Sequence, residues 1–261
     1  YIDKKNKCKF LNLAKSKLDL KVLNFENIFS IKDECVSFIQ SGRIQEITKG
    51  NLSYILLSTA ADILADKDQK DQKPQSNDSL YGKTILIDKI NNSYKIFSKG
   101  HRNILGMHVT DDNNIISTEN GPKGGDEINL IEQDKNYGWD ISSYGKKYNS
   151  VDNDNGYLDH EKLGFEEPIF SFLTSIGISE IVKIDDKFDN NWKDNFLISS
   201  LNYGHLLRAK INLKKKKIDY FEEIFIGERI RDLKYYNKNS TILLALENTG
   251  SIGIINKLND W

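Results

Sequence analysis

Apolar residues recur along the chain in short runs of strand length, which are separated by Asn, Asp, Gly, Lys and Ser. Examples are SYILLSTA (53–60), NFLISSL (195–201) and TILLALENTG (241–250). Their content of Ile, Leu, Phe and Tyr favours β-strands. A helical period of apolar residues is weak throughout, and strands do not alternate with helical segments. The pattern therefore predicts an all-β chain with almost no helix.

The spacing of these runs narrows the architecture. The order of apolar strand, polar turn and apolar strand returns about every 40 to 50 residues, which is the range for a four-stranded propeller blade. On that period the chain would hold about five blades. A sandwich and a barrel fit the same strand-rich pattern, so the period by itself leaves all three architectures open.

Composition excludes several classes of partner. The 261 residues include 37 basic and 38 acidic side chains, a balance that gives no sign of nucleic-acid binding. No stretch approaches the roughly 20 apolar residues of a membrane-spanning helix. The two cysteines, Cys8 and Cys35, fit either one disulfide of an exported protein or two isolated thiols.

The densest chemistry lies in GPKGGDEINLIEQDKNYGW, residues 121–139. Its glycines and proline let the backbone turn sharply and direct carbonyl oxygens towards one point. Asp126 and Glu127 add carboxylate oxygens, and an all-oxygen donor set favours calcium or magnesium over zinc. The same residues are also typical of a surface loop that leads into a strand.

The order and spacing of three motifs carry a family resemblance. GHRNILG (100–106), GPKGGDEINLI (121–131) and KNYGW (135–139), with Tyr148 beyond them, resemble the soluble quinoprotein glucose dehydrogenases and aldose sugar dehydrogenases, the glucose/sorbosone dehydrogenase family. Weaker echoes extend the resemblance over nearly the whole chain: QSGRI (40–44), SLYGKTILID (79–88), EEPIFSF (166–172), WKDNFLISSL (192–201) and RIRDL (229–233).

The resemblance implies a six-bladed β-propeller that binds pyrroloquinoline quinone (PQQ) with calcium above its central channel and oxidises the C1 hydroxyl of aldoses. It predicts one propeller domain over residues 1–261. The first strands resemble the last strands of the family's first blade, so we expect the N-terminal part of that blade to be missing from this chain. The chain begins at Tyr1, which fits a removed signal or a start inside a longer gene product. We expect a periplasmic or secreted location.

The resemblance also implies the site residues. The carbonyls of Gly121 and Pro122 would face the calcium that sits on the quinone, and Glu127 and Tyr137 match positions that hold a calcium. Cofactor contacts would come from Arg102, Asn103, Tyr148, Arg229 and Arg231. Planar Arg side chains suit PQQ because they bind its carboxylates with two parallel hydrogen bonds. Taken alone, the RIRD segment is also typical of a surface ladder of ion pairs.

Three departures from the family pattern bear on activity. The family's general-base His falls at Ile39, after Phe38, and an isoleucine cannot accept a proton. Asn202 stands where glucose dehydrogenases have a cofactor-binding Lys, so this cofactor contact keeps a hydrogen bond but loses a charge facing an anionic cofactor. The family's acid near the base falls in STAADILA (58–65), where either Asp62 replaces it or the alignment is shifted by one residue. Loss of a positioned base typically costs about 100- to 10,000-fold in rate.

The histidines offer one substitute base. We interpret His101 as structural because it belongs to the GHRN turn; His108 falls on a strand and His160 in a polar loop. His205, after the SLNYG turn, is the candidate nearest the mouth of the propeller. The sequence therefore predicts a PQQ- and calcium-dependent sugar dehydrogenase propeller with lost or weakened activity. The alternative is a non-catalytic propeller that binds a sugar, another small molecule or a protein at its mouth.

Overall fold

The computed structural model describes residues 2–5, 8–36, 41–62, 72–146, 148 and 160–257. These residues form five antiparallel sheets in which neighbouring strands follow one another in the sequence. Regular helix is limited to one 3₁₀ turn in the described ranges, Asn190–Trp192. The prediction of an all-β chain with almost no helix is therefore confirmed.

The strands are as follows. The first sheet contains β1 (Ile2–Lys5), β2 (Cys8–Lys15) and β3 (Glu26–Ser30), and the second contains β4 (Ile44–Lys49), β5 (Leu52–Thr59), β6 (Lys83–Asp88) and β7 (Tyr94–Lys99). The third contains β8 (Ile104–Val109), β9 (Ile115–Glu119), β10 (Asp126–Ile131) and β11 (Phe170–Phe172). The fourth contains β12 (Ile178–Lys183), β13 (Phe196–Ser200), β14 (His205–Asn212) and β15 (Lys217–Phe225), and the fifth contains β16 (Ile230–Tyr236), β17 (Thr241–Leu246) and β18 (Ser251–Asn256).

Each sheet packs face to face on the next through its own apolar core. Leu57 belongs to the core between the first and second sheets, and Met107 to the core between the second and third. Ile181 lies between the third and fourth sheets, and Leu233 between the fourth and fifth. Burying apolar side chains from both faces is what drives this stacking.

The first strands of four sheets lie together along one axis. Strand β8 contacts β4 and β12, and β12 contacts β16. Radial sheets around an axis are the arrangement of a β-propeller. The six-blade count and the closure of the ring stay predictions, since five sheets are seen in the described part of the chain.

The structure answers the question that the sequence left open about the two cysteines. Cys35 is disulfide-bonded, and the one other cysteine of the chain, Cys8, begins β2. The backbone N–H of Lys9 donates to the carbonyl of Val36 at 3.1 Å, so the two segments are neighbours. Across the described ranges, no helix is long and apolar enough to cross a membrane.

Candidate functional site

Antiparallel pairing brings the predicted site segments to one edge of the sheets, which we call the mouth. Ile104 at the start of β8 pairs with Glu119 at the end of β9. Ile178 likewise pairs with Ser200, and Ile230 with Leu246. The mouth therefore holds the residues that precede β8, β12 and β16 and the turns that follow β9, β13 and β17.

The turn that carries Arg102 and Asn103 is fixed by a buried carboxylate. Glu119 accepts the backbone N–H of Arg102 and, at 3.3 Å, that of Asn103. Its other oxygen lies 3.0 Å from Nδ1 of His101, which is fully buried and stacks on Tyr137. These contacts support the interpretation of His101 as structural, and they keep the Arg102 side chain at the mouth.

The guanidinium of Arg102 is buried and only partly hydrogen-bonded. Nη1 donates to the carbonyls of Asn120 at 2.7 Å and Gly121 at 2.9 Å, and the group lies over the Trp139 ring at 5.2 Å. Within the described part of the chain, Nε is buried without a hydrogen-bond partner. A buried donor of this kind costs free energy, so an anionic ligand that supplied an acceptor would be favoured here.

The loop that carries Gly121 and Pro122 depends on glycine. Gly124 and Gly125 have φ of 76° and 68°, in the left-handed region, and a Cβ at Gly124 would lie 2.1 Å from a backbone oxygen. Both Gly121 and Pro122 are buried. The Gly121 carbonyl already accepts from Arg102, so it has one lone pair left for a cation.

A small cavity of about 10 Å³ lies beneath this loop. That is room for about one water molecule or one bare ion. Two buried carboxylates, Glu119 and Glu127, line it together with Gly121, Tyr137 and Arg102. Burial, and then the neighbouring Glu119, raise the pKa of Glu127 to about 8. A cation would stabilise the charged form of this buried carboxylate, and oxygen donors of this kind suit calcium.

The hydroxyl of Tyr137 is committed elsewhere. It accepts from the backbone N–H of Glu132 at 2.9 Å and donates to the carbonyl of Leu130 at 2.6 Å. Among the described residues, no group of three or more His, Cys, Asp and Glu side chains is arranged to hold a metal ion. A cation in the cavity would therefore need backbone carbonyls, such as that of Gly121, for its remaining ligands.

Arg229 and Arg231 lie at the mouth beside the fifth sheet. Nη1 of Arg229 donates to the carbonyl of Leu201 at 3.0 Å and to Oδ1 of Asn202 at 2.9 Å. Both arginines also pair with Glu247: Nε of Arg229 lies 3.5 Å from Oε2, and Nη2 of Arg231 lies 2.6 Å from it. The ion-pair interpretation of the RIRD segment thus describes part of what these side chains do.

The remaining predicted residues are placed as follows. Asn103 is buried, Tyr148 is exposed, and Asp62 is buried just beyond β5, where the adjacent Ala61 N–H bonds the carbonyl of Arg102. Phe38 and Ile39 lie outside the described residues, so the identity of the base position stays a prediction from sequence. The cofactor and metal roles of all these side chains remain predictions.

His205 is at the mouth, as its position after the SLNYG turn predicts. Its Nδ1 lies 2.5 Å from the carbonyl of Tyr203. A carbonyl can only accept, so Nδ1 carries the hydrogen and Nε2 is the basic nitrogen. His108 lies instead near the far ends of β8 and β12, and His160 is held by Ser142.

Sequence reasoning missed two acids that organise the mouth. Glu119 positions Arg102, and Glu247 engages both Arg229 and Arg231. Glu119 ends the apolar strand in NIISTEN, and Glu247 directly follows the apolar strand in TILLALENTG. A charged residue at such a strand end was the available signal, but its partner is set by the pairing register, which the sequence does not specify.

Comparison with known proteins decides the family. A sequence model of the Glucose / Sorbosone dehydrogenase family matches residues 4–254. The chain belongs to this family. It is 30% identical over 162 residues to the aldose sugar dehydrogenase YliI of Escherichia coli, a match that covers 60% of this chain and 43% of that protein. The chain thus spans less than half the length of this curated relative.

Solved structures of family members have the same fold. The soluble aldose sugar dehydrogenase of Escherichia coli in the apo-form superposes with a TM-score of 0.75 at 21% identity, over 94% of this chain and 73% of that one. The PQQ-bound form of the aldose sugar dehydrogenase of Streptomyces coelicolor gives 0.64 at 19% identity, over 95% and 74%. At these identities the likeness establishes the shared propeller-type fold.

Proposed function

We propose that this chain is a PQQ-binding sugar dehydrogenase propeller whose turnover is weakened. The family match over residues 4–254 supports the general function. The observation that carries cofactor binding is the Arg102 guanidinium, since its Nε is a buried donor at the mouth with no hydrogen-bond partner among the described residues. PQQ carries several carboxylates, and an Arg fork recognises a carboxylate through two hydrogen bonds.

The side chains would share the work of holding the cofactor. Bound PQQ would supply the hydride acceptor for oxidation of the sugar. Arg102 would neutralise one carboxylate from beneath the loop, while Arg229 and Arg231 would meet another from the fifth sheet. Asn103, Tyr148 and Asn202 would add neutral hydrogen bonds around the cofactor. Calcium would lie near the carbonyls of Gly121 and Pro122, with Glu127 as a ligand and Tyr137 in the wall of the same cavity.

Proton removal is the weak point of this site. An aliphatic side chain at position 39 cannot take the proton of the sugar hydroxyl, and the arginines can only stabilise negative charge. Such electrostatic stabilisation leaves residual activity when a base is absent. His205 is the substitute base to test, because its Nε2 is the basic nitrogen at the mouth.

One observation favours the alternative, a propeller that binds a sugar, another small molecule or a protein without turnover. Glu247 pairs with both Arg229 and Arg231, and Asn202 accepts from Arg229. A carboxylate that already neutralises two cofactor-binding arginines competes with an anionic ligand. A propeller fold hosts enzymes and scaffolds alike, so the choice depends on this site.

The deciding experiment adds PQQ and calcium to the purified chain and follows quinone absorbance together with dye reduction by several aldoses. We expect saturable PQQ binding, slow dye reduction, and at least about tenfold weaker binding in Arg102→Met, since a charged hydrogen bond contributes about 1.5–3 kcal/mol. Arg208→Met is the matched control, because Arg208 pairs with Glu222 on outer strands. Absence of PQQ binding in the unmodified chain would overturn the cofactor proposal.

A second variant separates the two functions. Glu247→Gln removes the competing charge, so it should tighten PQQ binding if Arg229 and Arg231 contact the cofactor. Unchanged affinity would mean that the two arginines serve only the ion-pair ladder.

We also propose that the protein works outside the cytoplasm, in the periplasm or as a secreted protein. The support is the disulfide at Cys35, because such bonds persist in oxidising compartments. Fractionation of expressing cells, with thiol labelling of each fraction, tests this; recovery of the fully reduced protein in the cytoplasm alone would contradict it.

A further inference from the structure

One arginine joins four sheets at the axis along which their first strands lie. Arg43 directly precedes β4, and its Nε donates to the carbonyl of Leu105 in β8. Its Nη1 lies 2.8 Å from Oε2 of Glu180 in β12 and 2.9 Å from Oδ2 of Asp232 in β16. A single guanidinium therefore touches the first strands of the third, fourth and fifth sheets while it belongs to the second.

The partner Glu180 extends the same junction. Its side chain is 9% exposed, and its Oε1 accepts the backbone N–H groups of Met107 at 3.1 Å and Ile181 at 2.9 Å. Nε2 of Gln45 also donates to the carbonyl of Met107 at 2.5 Å. A polar network that is hydrogen-bonded in this way has one preferred geometry, because any displacement leaves a buried group unpaired.

The junction adjoins the cofactor contacts that lie on different sheets. Leu105 is two residues beyond Asn103, and Asp232 directly follows Arg231. Arg43 also fixes its own segment, since its N–H donates to Oγ of Ser58 at 2.9 Å and its carbonyl accepts the Ser58 N–H at 2.9 Å. One side chain thus links the third- and fifth-sheet sides of the mouth, in addition to the apolar cores between the sheets.

We propose that Arg43 is a positioning residue, which locks the first strands of four sheets at the channel axis and thereby sets the separation of the arginines at the mouth. The part of this inference that concerns the cofactor rests on the proposed function. The part that concerns the junction rests on the Arg43 contacts and is testable without PQQ.

Electrostatics gives the junction a measurable signature. Burial raises the pKa of Glu180 to about 7 from its usual 4.5, although Arg43 opposes this shift; Asp232 is the other charged group that faces it and adds to the rise. The native protein therefore binds a proton that the unfolded chain releases between about pH 4.5 and 7, and its stability falls as pH rises through that window. Removing Arg43 takes away the charge that opposes this pKa shift. The decrease in stability with rising pH should therefore become larger and continue to higher pH.

The experiment measures the melting temperature from pH 5 to 8 for Arg43→Met, Arg43→Lys, Glu180→Gln and the double variant, with Arg208→Met as the control. Removing one partner of a buried pair should lower the melting temperature of Arg43→Met by about 5–10 °C at pH 8. Glu180→Gln should restore part of the loss in the Arg43→Met background, and Arg43→Lys should lose less than Arg43→Met. If Arg43→Met does not fold, the proposal is tested by the pH dependence of the melting temperature in Arg43→Lys and Glu180→Gln.

The inference is overturned if Arg43→Met and Arg208→Met lose the same amount at every pH and Glu180→Gln restores nothing. The cofactor part has its own readout, PQQ affinity, which should fall at least about tenfold in Arg43→Met and stay unchanged in Arg208→Met. Equal affinity in the folded Arg43→Met variant would overturn that part. Failure of the unmodified chain to bind PQQ would refute the proposed function. The melting temperatures would then still test the role of Arg43 in the junction.

Discussion

The carboxylate of Asp126 accepts the backbone N–H of Gly121 at 3.0 Å. The same side chain bonds Oγ of Ser175 at 2.9 Å and the N–H of Ile178 at 3.0 Å, and it is fully buried. Asp126 therefore ties the glycine loop of the third sheet to the start of the fourth. Of the two adjacent acids that the sequence offers as cation ligands, Asp126 holds the loop and Glu127 lines the cavity.

The first prediction concerns the hydrogen bonds that Asp126 accepts. Asp126→Asn should lower the free energy of unfolding by about 2–4 kcal/mol, because the amide nitrogen can accept none of the N–H groups that the carboxylate satisfies. Urea denaturation measures the change. Asp112→Asn, in the exposed turn after β8, is the matched control and should alter it little. Equal stability of the two variants would contradict the role of Asp126.

The second prediction concerns calcium. Calcium at about 100 times its Kd should stabilise the unmodified protein by about 2.7 kcal/mol, because ligand binding favours only the folded state. Glu127→Gln should lower that gain in melting temperature. Glu132→Gln, which removes an exposed carboxylate paired with Lys216, should keep the gain. No calcium-dependent shift in the unmodified protein would refute the metal prediction.

The third prediction concerns acid stability. Burial lowers the pKa of His108 from its usual 6.5 to about 4, and Lys183 and Lys234 add to the shift while Asp111 opposes it. The unfolded chain binds this proton first, so stability should fall as pH drops from about 6.5 to 4, by up to about 1.4 kcal/mol per pH unit. His108→Gln should reduce that slope, whereas an unchanged slope would show that His108 does not control it. The stabilities of His108→Gln and the unmodified protein are compared at each pH, because the titration of Glu180 changes stability with pH in the opposite direction.

The fourth prediction restores the base. Ile39→His combined with Phe38→Asp should raise PQQ-dependent dye reduction by aldoses, and a positioned base contributes about 100- to 10,000-fold. Ile39→Gln with Phe38→Asp is the control, since it adds polarity without a base. Full activity of the unmodified chain would contradict the prediction, and His205→Gln would then test the substitute base.

The sequence specified the fold more completely than the site. Most strands were predictable from apolar runs between turns, because inner strands such as β6, β9 and β13 are buried on both faces. Strand β3 (Glu26–Ser30) escaped notice, since it begins with Glu26 and Asn27 and offers Phe29 as its main core residue. Phe29 packs against the Tyr94 ring at 5.0 Å, a contact between sheets that local pattern does not reveal.

The motifs located the site residues in the sequence, but they did not show which side chains form ion pairs with one another. The resemblance put Arg229 and Arg231 near a cofactor, and the ion-pair interpretation put them on a surface ladder. The structure gives both a partner, Glu247, that lies on the opposite side of a hairpin. Which carboxylate meets which guanidinium depends on strand register and on the packing between sheets, and neither is written in the spacing of one segment.

The Arg43–Asp232 pair joins residues 189 positions apart. Closing so long a loop costs entropy, and the cost is recovered only once the intervening sheets already stack. We therefore expect this contact to form after the rate-limiting step of folding. Its loss should raise the unfolding rate and leave the refolding rate almost unchanged, as stopped-flow measurements on Arg43→Lys would reveal. The Arg43 guanidinium would then control the lifetime of the native state, and not the rate at which the protein folds.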